Sequence, residues 1–96
     1  MMRGYLEFQD FARQAVADYW NEHNDTTNDI KGITKDNVFI TWYAKELQNQ
    51  KAMLATDQPD GTYFEVSWNG DKEEAYFDVY KKWENRTVKP SGKKEG

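Results

Sequence analysis

The sequence predicts an α+β domain: an N-terminal amphipathic helix packed on one face of a four-stranded antiparallel meander, with a disordered C-terminal tail. Three observations carry this. Residues 5–22 gather aromatic and small apolar side chains on one helical face. Two segments beyond residue 61 alternate apolar and polar residues with a period of two. Short turn signals, Asp60-Gly61 and Asn69-Gly70, separate these runs, as hairpin connections do.

The helix spans Tyr5 to about Glu22. At 100° per residue, Tyr5, Phe8, Phe11, Ala12, Ala15, Val16, Tyr19 and Trp20 share one broad face, and Glu7, Asp10, Gln14, Asp18 and Asn21 lie opposite. No Pro or Gly interrupts it, and the acidic residues of its first turns suit the positive end of the helix dipole. His23 to Gly32 is rich in Asn, Asp and Thr, whose side chains bond their own backbone and end helices, so it reads as a polar loop. Thr34-Lys35-Asp36 reads as a single helical turn.

Val38 to Leu47 begins with β-branched and aromatic residues and reads as the first strand. Its end, Ala44-Lys45-Glu46-Leu47, favours helix, which leaves a helix over 42–54 as the other reading. On the strand reading, Gln48-Asn49-Gln50 turns the chain into a second strand, Lys51–Thr56. Asp57-Gln58-Pro59-Asp60-Gly61 is the strongest turn in the chain. Thr62–Trp68 and Ala75 to about Trp83 are the third and fourth strands. The domain occupies residues 1–88, and the Pro-, Gly- and Lys-bearing residues 89–96 form the tail.

Helix stripe against sheet face gives a core of Phe8, Phe11, Ala12, Ala15, Val16, Tyr19, Ile40, Trp42, Leu54, Phe64, Val66, Trp68, Phe77 and Val79. The opposite sheet face has no helix to cover it. Strict alternation gives it Phe39, Thr41, Tyr43, Lys45, Met53, Tyr63, Glu65, Ser67, Tyr76, Asp78, Tyr80 and Lys82. Antiparallel sheets commonly turn one face to water, yet large exposed apolar patches usually mark interaction sites. Tyr43, Lys45, Tyr63, Tyr76, Tyr80 and Lys82 are therefore the candidate partner-binding residues.

Composition narrows the chemistry. The chain has no cysteine, which excludes disulfide scaffolds, thiolate metal sites and cysteine nucleophiles. The single His, His23, has Asp25 and Asp29 nearby, but the ligand spacing of a calcium loop is absent. Glu73-Glu74 and the Asp57/Asp60 pair lie in turns, and no nucleophile elbow, phosphate loop or zinc-protease motif occurs. The expectation is a non-enzyme with no cofactor and no metal. No apolar run approaches the ~20 residues of a membrane span, and Met1-Met2-Arg3-Gly4-Tyr5 lacks the apolar centre of a signal peptide, so the expected location is the cytoplasm.

Mean hydropathy is −1.07, but fifteen aromatic residues argue for a packed core over disorder. Residues 1–36 and 37–88 each carry a net charge of −3, and residues 89–96 carry +2. An acidic body disfavours nucleic-acid binding, which depends on clustered Lys and Arg. Aromatic residues on an open sheet can nonetheless stack bases, so single-stranded nucleic acid is the alternative partner to a protein. The long apolar Val38–Leu47 edge predicts weak self-association, with a homodimer as its product.

The segments Val38-Phe39-Ile40-Thr41-Trp42-Tyr43, Leu47-Gln48-Asn49-Gln50-Lys51-Ala52, Asp60-Gly61-Thr62-Tyr63-Phe64-Glu65, Asn69-Gly70-Asp71-Lys72 and Val79-Tyr80-Lys81-Lys82-Trp83-Glu84-Asn85 resemble a family of short, uncharacterised phage and prophage proteins of Gram-positive bacteria. The resemblance spans roughly residues 5–88 and contains no catalytic signature. It implies a small accessory protein of phage origin, acting in a bacterial cytoplasm; the partner expected for the open face is an unknown host or phage protein.

Overall fold

A computed structural model describes residues 4–24, 32–82 and 84–90. The helix α1 runs Tyr5–His23, a 3-10 turn occupies Lys35–Asn37, and four strands follow: β1 Val38–Glu46, β2 Asn49–Thr56, β3 Thr62–Asn69 and β4 Glu74–Lys81. They form one sheet in the order β1-β2-β3-β4, every neighbour antiparallel. The architecture is the α+β meander that the sequence predicts. Residues 42–54 form a hairpin and not a helix, with a turn at Leu47-Gln48 that is tighter than the expected 48–50. The polar loop falls largely, and Trp83 and residues 91–96 of the tail wholly, outside the described residues.

Both ends of the sheet are held by turn chemistry. Thr34 and Asn37 close a capping box around the 3-10 turn, whose backbone leads into β1. At the other end the two hairpin tips dock on each other. Asn49 Oδ1 accepts from the Gly70 N–H at 3.0 Å, and a Cβ at Gly70 would lie 2.4 Å from the Gln48 carbonyl oxygen. Only glycine allows that approach. Leu47, by contrast, sits at φ 56° in the β1–β2 turn while its side chain is exposed. Left-handed backbone disfavours Leu and suits Asn. Leu47→Asn is expected to raise unfolding free energy by about 0.5–1 kcal/mol, measured by urea denaturation.

The core is built by Phe8, Ala12, Val16, Ala17 and Trp20 of α1 against Val38, Ala52, Leu54, Phe64, Val66 and Trp68 of the sheet, with Ile33 closing one side. The buried arc of α1 is rotated from the expected one toward Ala17. Phe11 is exposed and Ala15 half-buried. The cause is Arg13, whose Nε donates to the Lys35 carbonyl (3.1 Å) and the Val38 carbonyl (2.9 Å), pulling that flank of the helix onto the start of β1. Asn21 clamps the other end, exchanging two 2.8 Å hydrogen bonds with the backbone of Ile33. Trp20 Nε1 donates to Asp60 at 3.0 Å, tying α1 to the β2–β3 turn.

A second correction concerns β1. Ile40 pairs with Leu54, but Trp42 pairs with Met53, so Thr41 is an extra residue, a β-bulge. One added residue exchanges the faces of everything beyond it. Trp42, expected in the core, lies exposed on the open face. Tyr43 and Lys45, expected on the open face, lie on the helix side. Tyr43 packs edge-on against Tyr5 (4.5 Å between ring centres) and near Phe8 (5.9 Å), and its hydroxyl donates to the buried Gln50 amide oxygen at 2.5 Å. Val79, also expected in the core, is exposed because α1 lies over β1, β2 and β3 and leaves β4 largely uncovered.

Candidate functional site: the open face of the sheet

The registers define the face opposite α1 row by row. Phe39, Ala55, Tyr63 and Tyr80 form the first row, from β1 to β4. Trp42, Met53, Glu65 and Asp78 form the second, and Ala44, Lys51, Ser67 and Tyr76 the third. Five large aromatic side chains on this face are exposed: Phe39 50%, Trp42 51%, Tyr63 41%, Tyr76 45% and Tyr80 39%. Among the described residues no element covers them. Tyr63 and Tyr80 are cross-strand partners and stack with ring centres 5.1 Å apart and planes 15° from parallel.

Three of the six candidate residues, Tyr63, Tyr76 and Tyr80, thus come together on the open face. Lys82 follows β4 directly at the face's border, its N–H bonded to the Gly61 carbonyl at 2.8 Å. Tyr43 and Lys45 are on the other side of the sheet. The residues that sequence reasoning missed are Trp42 and Ala44. Trp42 and Tyr76 wall a shallow basin of about 380 Å³ whose floor includes Ala44 and Ser67, with Lys51 and Glu46 among its polar lining.

The face is acidic. Among the described residues Glu46, Glu65, Glu74 and Asp78 outnumber Lys51, which pairs with Glu65 at 4.0 Å, and Lys82 at the border. The phenols report this field. Glu65, with smaller contributions from partial burial, Asp78 and Tyr63, pushes the Tyr80 hydroxyl above its ordinary value. The Tyr76 hydroxyl is raised chiefly because it donates to Glu74 at 2.7 Å, a bond that ionisation would destroy. Folding therefore holds both protons more tightly than the unfolded chain does. Their contribution to stability is complete below the ordinary phenol pKa of 10.0 and is lost as pH rises through the raised folded values. Absorbance titration of the phenols is expected to show a late-ionising component that Glu65→Gln moves to lower pH.

Among the described residues, no group of three or more His, Cys, Asp or Glu is placed to hold a metal, and no helix is long and apolar enough to cross a membrane. His23 closes α1, stacked on Tyr19 at 3.9 Å with Nδ1 2.9 Å from the Tyr19 carbonyl, away from the open face.

Fold and site together define a helix-backed antiparallel sheet whose other face presents exposed aromatic residues. The chain belongs to DUF6275, a family of unknown function, whose model matches residues 9–90. No match is found among curated proteins or solved structures.

Proposed function

We propose that this protein is a small phage or prophage accessory protein of the bacterial cytoplasm that works by binding another protein, not by catalysis, and that the open face of the sheet is the binding surface. The observation that carries this reading is the set of five exposed aromatic residues on a face that no described element covers. Aromatic side chains supply large contact area with few rotatable bonds, and interfaces are enriched in them. The alternative partner, single-stranded nucleic acid, draws support from the same rings. It is disfavoured by four carboxylates beside them against two lysines, Lys51 within the face and Lys82 at its border, because phosphate binding needs the reverse charge.

Site-specific photocrosslinking tests the proposal. A benzophenone amino acid placed at Tyr80 of the full chain, in the bacterium that carries the gene, is expected to give a discrete adduct with a protein other than a second copy of this chain. The same group at Gln14, on the solvent side of α1, is expected to give none. Equal labelling from both positions, or no adduct from Tyr80, contradicts the reading. A nuclease-sensitive adduct replaces it with the nucleic-acid alternative.

A further inference from the structure

The outer edge of β4 carries a consequence that is independent of the open-face reading. Sheet edges are normally protected by bulges, coverage or inward-pointing charge. Here the two edges differ. β1 is interrupted by the Thr41 bulge, so the edge from which the sequence predicts self-association is the protected one. β4 pairs with β3 without a break over all eight of its residues, and among the described residues no strand pairs with its other side. It also lies beyond α1, so Ala75 and Val79 on its helix side are exposed and Phe77 is half-buried.

The charges along β4 make it complementary to itself in one direction only. Glu74 opens the strand and follows Glu73 of the turn, and Lys81 closes it and precedes Lys82. Parallel pairing of two such strands would set like charges together. Antiparallel pairing about a two-fold axis brings each acidic start to the basic end of the other copy.

We propose that β4 pairs antiparallel with β4 of a second copy of this chain, joining two four-stranded sheets into one of eight. Faces must match across the joint, so residues of the same side pair. A register centred on Phe77 meets this condition. It sets Phe77 against Phe77, Ala75 against Val79, Tyr76 against Asp78 and Glu74 against Tyr80, one position from the Lys81 of the other copy. Centring on Asp78 would oppose two carboxylates, which destabilises a cross-strand pair. The pairing of one strand buries less than the ~1,200 Å² of a standard stable interface, so the dimer is weak.

Sedimentation velocity on the full chain, from a few micromolar to several hundred micromolar, is expected to show a concentration-dependent monomer–dimer equilibrium within that range. Val79→Lys sets an inward-pointing charge on the β4 edge and is expected to weaken the dimer at least about tenfold without lowering the melting temperature. Phe39→Lys, on β1, is expected to leave the dimer intact. Because the chain has no cysteine, equimolar mixtures of the single variants Tyr76→Cys with Asp78→Cys, and Ala75→Cys with Val79→Cys, report the register directly through the mixed disulfide. At least one of them is expected to give a disulfide-linked dimer under mild oxidation. Monomer throughout the range overturns the proposal. So does a dimer that Val79→Lys leaves unchanged, or failure of both cysteine pairs to cross-link.

Discussion

Phe64→Ala is expected to lower the unfolding free energy by about 3–5 kcal/mol. Phe64 is 1% exposed at the centre of β3, between its cross-strand partners Leu54 and Val79. Its ring meets Tyr19 of α1 edge-on at 5.9 Å and Phe77 of β4 at 5.8 Å. Truncation opens a void at the point where helix and sheet join, and the hydrogen-bonded strands on either side cannot move in to fill it. A domain of this size has about 5–15 kcal/mol in all, so the variant sits near the threshold of folding. Urea denaturation with an unchanged slope checks the value. A loss below about 1 kcal/mol would mean that the site collapses freely and that α1 is not anchored there.

The second large effect comes from two adjacent residues. Tyr43→Ala is expected to cost about 2–3 kcal/mol, because it removes the ring that fills the space between Tyr5 and Phe8 and strands the buried Gln50 amide oxygen. Tyr43→Phe, which keeps the ring, is expected to lose about 1–2 kcal/mol through Gln50 alone. Trp42→Ala, one position earlier and the larger truncation, is expected to cost less than about 1 kcal/mol, since the indole lies on the uncovered face. Thermal melts of the three variants check the order. The reverse order would place the bulge elsewhere than at Thr41.

That inversion marks where the sequence stops being legible. β3 and β4 are readable because Phe64, Val66 and Trp68 alternate with Tyr63, Glu65 and Ser67, and Asp60-Gly61 and Asn69-Gly70 set the ends of the strands. Tyr63, Tyr76 and Tyr80 follow from that alternation. β1 has no such clarity: Trp42 and Tyr43 are both large aromatics, so either parity offers the core a ring, and a single bulged residue leaves no mark in composition. The rotation of α1 was hidden for a different reason. Its apolar stripe is wide enough to admit either Phe11 or Ala17, and the choice is made by Arg13 bonding the carbonyls of Lys35 and Val38, more than twenty residues away. Ile33 fills its place from an irregular segment, where there is no period to read. Gln50 shares parity with Ala52 and Leu54, yet its burial becomes readable only once Tyr43 faces it.

The central claim is that the sheet's open face binds a protein partner and contributes little to holding the fold. The most direct test is the yield of the Tyr80-positioned photo-adduct in chains carrying Trp42→Ala or Tyr63→Ala, measured beside their melting temperatures. Melting temperatures are expected within about 4 °C of the parent and adduct yields reduced by about tenfold or more, as at interface hot spots. Adduct yields that stay at the parent level in folded variants would contradict it, and the open face would then be a solvated sheet surface.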